Sequence, residues 1–146
     1  MTIPWTVRPV TIGDAAAICE ISSDDLGYPC DEGLVKSKLE GLDAKREAVF
    51  VALLDGKCIG YIHVERYDVL YFEPMANILG IAVKRECQAG GAGTALLSAA
   101  ENWAKERGIG MMRVTSGATR TGAHAFYVSR GYEEKKLQKN FNKRLD

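Results

Sequence analysis

Val83-Lys84-Arg85-Glu86-Cys87-Gln88-Ala89-Gly90-Gly91-Ala92-Gly93-Thr94 lies between two stretches of different periodicity. Before it, Ala76 to Val83 is an apolar run that reads as a strand. After it, Gly91 to Arg107 reads as a helix with Leu96, Ala100 and Trp103 on one face, ending in Lys105, Arg107 and Gly108. Glycines at such a junction let the backbone come close to a ligand and leave N–H groups at a helix N-terminus, where the dipole favours an anion such as a pyrophosphate. Two other Gly-rich cradles fit worse. A Walker A loop needs Gly-Lys-Ser/Thr at its end, and a dinucleotide fingerprint needs a third glycine where Leu96 stands. Taken alone, the segment could equally be a turn that only connects strand to helix.

Outward from this junction, Met111 to Thr115 reads as a short strand, Thr121 to Arg130 as a helix stopped by Gly131, and Tyr132 to Arg144 as one or two further strands. Toward the N-terminus, Trp5 to Pro9 is strand-like. Thr11-Ile12-Gly13-Asp14 has the form of a capping box opening a helix through Ile21. Ser23 to Pro29 is a polar connection, and a second helix starts near Asp31 with Val35, Leu39 and Leu42 on one face. Ala48 to Leu54 and Lys57 to Glu65 are strands joined by Asp55-Gly56, a dipeptide suited to a type I′ turn. Strands and helices alternate without strict βαβ regularity. The fold class expected is α/β, with a central mixed sheet flanked by helices in a single domain over residues 1–146.

The chain's 146 residues suffice for one core without staples. Nineteen basic and nineteen acidic residues cancel, so no global positive field favours a nucleic-acid partner. The cluster Lys135, Lys136, Lys139, Lys143 and Arg144 alternates with apolar residues as a solvated strand face does. No apolar run is long enough for a membrane span and no secretory signal is visible, so a cytoplasmic protein without a membrane partner is expected. Cys19, Cys30, Cys58 and Cys87 show neither zinc nor CxxC spacing; reduced, mostly buried thiols and no metal are expected.

Gln88-Ala89-Gly90-Gly91-Ala92-Gly93 resembles the pyrophosphate loop of the GNAT superfamily of acyl-CoA-dependent N-acetyltransferases, Gln/Arg-x-x-Gly-x-Gly/Ala, at every fixed position. Ile81-Ala82-Val83 is similar to the apolar-Ala-Val end of the strand that enters this loop in the family. Ala123-His124-Ala125-Phe126-Tyr127-Val128-Ser129-Arg130-Gly131-Tyr132 is similar to its Ala-x-x-Phe/Leu-Tyr-x-x-x-Gly-Phe/Tyr signature. Val7-Arg8-Pro9 with Asp14 looks like the family's opening, and Phe141-x-Lys143-x-Leu145 like its last strand.

The resemblance implies a GNAT-type fold and acetyl-CoA as co-substrate, with transfer of the acetyl group to an amine by direct attack on the thioester. It implies contacts to the cofactor from the backbone of Ile81, Ala82 and Val83 and from Gln88, Ala89, Gly90, Gly91, Ala92, Gly93 and Thr94. Tyr127 corresponds to a tyrosine that protonates or hydrogen-bonds the departing thiolate, a task that suits a phenol with a pKa near 10. Phe126 is read as core, and His124 as structural.

Two positions depart from the family. Arg120 stands where many relatives carry an asparagine that contacts the cofactor, and a guanidinium there could pair with a CoA phosphate. Asn77 stands where some relatives carry a glutamate base. An amide takes no proton at neutral pH, which leaves Glu73, if the strand begins early enough, as a candidate.

Asp24, Asp25, Asp31 and Glu32, with no Lys or Arg between Arg8 and Lys36, create a negative potential in the region where the family binds its acceptor. Asp24 and Asp25 are the candidates for recruiting an ammonium, on a small molecule or a peptide. A homodimer is carried as an expectation, although oligomeric state is not legible in the sequence. The reading from another class is a non-catalytic acyl-CoA sensor that keeps the loop and has lost turnover.

Overall fold

Asp55 and Gly56 take φ angles of +51° and +79°, the left-handed pair that a type I′ turn requires. They join strand β2 (Glu47–Leu54) to β3 (Lys57–Tyr67). Residues 5–27 and 29–146 are described by a computed structural model, apart from the side chain of Ala89. Tyr28, in the connection expected over Ser23 to Pro29, lies outside the described residues.

Around this hairpin the strands run β1 (Trp5–Pro9), β2, β3, β4 (Met75–Val83) and β5 (Met112–Val114), each beside its predecessor in one five-stranded sheet. The first three pairings are antiparallel and the last is parallel. The mixed sheet expected from the irregular alternation is therefore present. Helices α1 (Ala15–Asp25), α2 (Glu32–Glu40) and α3 (Ala92–Glu106) accompany it, and α4 (Thr121–Ser129) follows β5.

Strand alternation places two of these helices on opposite faces. A Cβ on Gly60 would meet Leu96 of α3, whereas its neighbour Tyr61 shares a 2.7 Å hydrogen bond with Ser22 of α1. Leu96, Ala100 and Trp103 are buried as their spacing predicts, joined by Leu97 and Ala104, against a sheet whose Val51, Ile62 and Val64 have no exposed surface. Against α2 the pattern was weaker: Val35 and Leu39 are half-buried and no residue of α2 is fully buried. The Asp31 carboxylate caps that helix by accepting from the Gly33 N–H at 2.9 Å.

The capping box forms as expected, with the Thr11 N–H donating to Asp14 Oδ2 at 2.8 Å. It opens a 3₁₀ turn over Ile12–Asp14, and α1 then runs to Asp25, four residues beyond the predicted end at Ile21. Ser22, Ser23, Asp24 and Asp25 extend the helix because no glycine interrupts it before Gly27 (φ +75°). All four cysteines are free and partly exposed; the expected burial is corrected, since none sits in the core.

Contacts divide the chain into two compact units, the first ending at Val114 and the second running from Thr115 to Asp146. The second contains α4, which stops at Ser129, two residues before Gly131 (φ +93°). The strands expected over Tyr132 to Arg144, including Phe141-x-Lys143-x-Leu145, are not present: residues 132–146 contain neither helix nor strand. Their alternation is real but has no ladder partner among the described residues, and Leu137, Phe141 and Leu145 are 79%, 84% and 91% exposed. Among the described residues, no helix is long and apolar enough to cross a membrane.

Candidate functional site

The glycine segment folds as a 3₁₀ turn over Arg85–Gly90 that feeds directly into α3. Gly91 is the N-cap of α3 at φ +91°, a left-handed angle that side chains resist, and no side chain caps this end. The N–H groups of Ala92, Gly93 and Thr94 thus open the helix without a side-chain acceptor, as an anion cradle requires.

Gly90 is held differently. Its carbonyl accepts from the Trp5 indole N–H at 2.5 Å, and a Cβ added there would collide with the Trp5 ring. Gln88 donates its side-chain amide to Val83 O at 3.1 Å and to Asp25 Oδ1 at 2.5 Å, tying the loop to the end of β4 and to the last turn of α1.

Within β4 two features coincide. Pairing with β5 covers only Ala76, Asn77 and Ile78, so from Leu79 to Val83 the strand has no neighbour on that side among the described residues. At the same point the β3 ladder skips a residue, His63 facing Gly80 and Val64 facing Ile78. Leu79 is the extra residue of this bulge and is half exposed. A bulge beside an open edge re-aims backbone groups toward whatever fills the gap. Ile81, Ala82 and Val83 lie on this edge, with Ala82 and Val83 buried by side chain.

On the face shared with α1, β3 and β4 carry a polar cluster. Asn77 is 8% exposed and pairs in register with Glu65, to whose Oε2 it donates at 3.0 Å. Arg113 of β5 donates to Asn77 Oδ1 at 2.8 Å, and its guanidinium lies 4.5 Å over the Tyr67 ring. On the other side of Glu65, Glu47 is directly opposite on β2 and lies 2.8 Å from His63 Nε2. Glu65, Arg113 and Glu47 do not stand out as site residues in the sequence. Only part of the signal was local: His63, Glu65 and Tyr67 alternate along β3, but a bulge at Ile59 moves the β2 register by one residue from what the turn alone would give, so the turn does not fix which residues they face.

Glu73 is not part of this cluster. β4 begins at Met75, so the condition for placing Glu73 on the Asn77 face by alternation is not met, and the residue is exposed in the connection before the strand. Asp24 is exposed and Asp25 half-buried on α1, a helix turn where a loop was expected.

In the second unit Tyr127 is buried, its ring 5.6 Å from Phe126 and 5.9 Å from Tyr132. Burial pushes its pKa up, against a smaller opposing pull from Arg120, so the phenol stays protonated at neutral pH. Its hydroxyl has no hydrogen-bond partner among the described residues. Arg120 is exposed at the N-cap of α4. His124 Nε2 lies 2.9 Å from Gly117 O, in line with a structural role. Ser116 Oγ, buried with no hydrogen-bond partner among the described residues, does not stand out in the sequence.

The sequence matches the Acetyltransferase (GNAT) family over residues 15–132. It is 30% identical over 135 residues to an aminoglycoside N(6′)-acetyltransferase type 1 of Stenotrophomonas maltophilia, covering 88% of this chain and 86% of the relative. Among solved structures, a transcriptional regulator from Bacillus halodurans C-125 superposes with a TM-score of 0.80 at 26% identity, over 94% of this chain and 99% of that one. The aminoglycoside acetyltransferase AAC(6′)-Iy, bound to a bisubstrate analogue of CoA and acetylneamine, superposes with a TM-score of 0.82 at 21% identity, over 97% and 99%, a likeness of fold. With an uncapped glycine turn at α3 and a bulged, half-open β4, the chain belongs to the acetyltransferase (GNAT) family and transfers the acetyl group of acetyl-CoA to an amine.

Proposed function

We propose that the acceptor is a small polyamine or amino sugar, and that its neutral amine attacks the thioester carbonyl directly. The observation that carries the acetyl-CoA half of this reading is the junction of the half-open β4 edge with the uncapped N-terminus of α3. The backbone of Ile81, Ala82 and Val83 would align the pantetheine arm, and the N–H groups from Gln88 through Ala89, Gly90, Gly91, Ala92, Gly93 and Thr94 would hold the pyrophosphate. Arg120 would pair with a phosphate of the cofactor, and Tyr127 would give its proton to the departing thiolate. The relative from Stenotrophomonas maltophilia is named for acting on aminoglycosides, which supports a small cationic acceptor. A family match that runs through both compact units supports reading residues 1–146 as one catalytic domain.

Thiol release from acetyl-CoA, followed over a panel of amino sugars, polyamines and peptides with free amino termini, tests the reading. Release is expected with the amino sugars or polyamines and not with the peptides. Acetyl-CoA binding without release for any amine would instead make the chain a sensor.

A further inference from the structure

We infer that Glu65 of β3 is the group that takes the proton from the acceptor's ammonium, with Asn77 and Arg113 as the residues that position it. This rests on the proposed function and names the base left open by an amide at position 77.

Place is the first argument. The bulge at Leu79 and the end of β5 pairing mark the point of β4 where backbone groups become available to a ligand. His63 faces the residue after the bulge, and Glu65 is two residues further on the same face, on the order of 7 Å at the usual strand rise. That is within reach of an amine placed at the bulge, directly or through one water.

Orientation is the second. Arg113 has only donors, so it fixes the oxygen of Asn77 toward itself, and the amide NH₂ must then face Glu65. Asn77 is nine-tenths buried and in register with both neighbours, so its amide is not free to turn. One carboxylate oxygen of Glu65 is thereby pinned, and the residue has no other hydrogen-bond partner among the described residues.

Charge is the third. Glu47 and Glu65 face each other across β2 and β3, where like charges cost stability, and His63 lies against Glu47 only. A cation beside Glu65 relieves that cost. The other titratable or charged groups of this face are Arg113, the His63 imidazole and the phenols of Tyr61 and Tyr67. The α1 carboxylates Glu20 and Asp25 are engaged with Lys84 and Gln88 at the opposite end of β4, and Asp24 is exposed beside Asp25.

In the step itself, the Glu65 carboxylate takes one proton from the ammonium and later returns it to solvent. The nitrogen lone pair forms the C–N bond and the C–S pair leaves with sulfur. The second nitrogen proton replaces the one delivered to the thiolate.

Glu65→Gln and Glu65→Gln/Asn77→Glu, which moves the carboxylate one strand over, test this with kanamycin as acceptor. In Glu65→Gln, kcat should fall by about 100-fold near neutral pH, with the KM for acetyl-CoA within about twofold of the wild type. The deficit should shrink as pH rises toward the amine's own pKa, because a free amine needs no base. The double variant should recover a substantial part of the rate.

A Glu65→Gln enzyme within about threefold of wild type, or one whose deficit is the same at every pH and tracks a lowered melting temperature, overturns the assignment. If the wild type acetylates no amine, the functional reading fails separately, and calorimetry with kanamycin decides Glu65. Weaker binding in Glu65→Gln then supports it as the ammonium's partner, and unchanged binding overturns it.

Discussion

Gln88 of the glycine loop donates its side-chain amide to Asp25 at the last turn of α1, at 2.5 Å, while Asp24 beside it is exposed. Two neighbouring carboxylates that look equivalent in sequence are therefore in different situations. Asp25 is engaged with the glycine loop; Asp24 faces solvent. Asp24→Asn is expected to raise the KM of a cationic acceptor and to weaken its dependence on salt. Asp25→Asn, which keeps an oxygen for Gln88, should act on acetyl-CoA instead, tightening it by a few-fold as a negative charge leaves the loop. Steady-state constants at two salt concentrations distinguish them, and an Asp24→Asn enzyme with unchanged acceptor constants removes Asp24 from recruitment.

Gly91 separates strain from charge. At φ +91° any side chain costs about 1 kcal/mol, so Gly91→Gln should lower the melting temperature by a few degrees and weaken acetyl-CoA binding modestly. Gly91→Glu adds an anion at the opening of α3 and should abolish binding by calorimetry while losing no more stability than the glutamine variant. Equal affinities for the two variants would mean that no pyrophosphate lies there.

The loop and the sheet were legible in the sequence because both are local. Asp55-Gly56 dictates a hairpin and its first pairs, and only the bulge at Ile59 moves the register farther along by one residue. The glycines after Val83 announce a strand-to-helix turn. What escaped was non-local or depended on a partner. Glu65 gains its meaning from Asn77 across one strand and Arg113 across two, a relation that exists only once β5 pairs in parallel. The end of α1 was set too early because a polar run was read as a loop when no glycine enforced one. Tyr132 to Arg144 alternates like a strand, but alternation specifies a face and not a neighbour.

Tyr127→Phe probes the leaving-group step. The hydroxyl has no partner among the described residues and its pKa is pushed up by burial, so removing it leaves no orphaned acceptor and little packing change. In the proposed role the turnover number should fall at least about tenfold with acetyl-CoA affinity nearly constant, since the proton would act only on the departing thiolate. Full turnover in a folded variant would assign Tyr127 to packing.

The last expectation concerns acid stability, through Arg8 and Asp14. The guanidinium donates to both Asp14 oxygens, at 2.8 and 3.0 Å, and the Thr11 N–H adds a third bond. The hydrogen bond from Arg8 is the largest influence on the carboxylate. Burial opposes it, but the balance holds the folded-state pKa of Asp14 below its ordinary value of 3.8. The folded protein therefore binds this proton less readily than the unfolded chain. Asp14 contributes stability fully above pH 3.8, and that contribution is lost as pH falls through the lowered folded pKa. Because the Asp14 side chain is only 7% exposed, removing its charge leaves Arg8 short of an acceptor, and Asp14→Asn should cost about 1–2 kcal/mol near neutral pH. The cost should diminish below pH 3.8, where the unfolded wild-type chain takes up the proton, and vanish as the folded carboxylate follows at its lowered pKa. Urea unfolding of wild type and Asp14→Asn from pH 7 down to the lowest pH at which both remain folded measures the difference. A gap that stays constant across that range would show that Asp14 acts through its shape at the turn and not through its charge on Arg8.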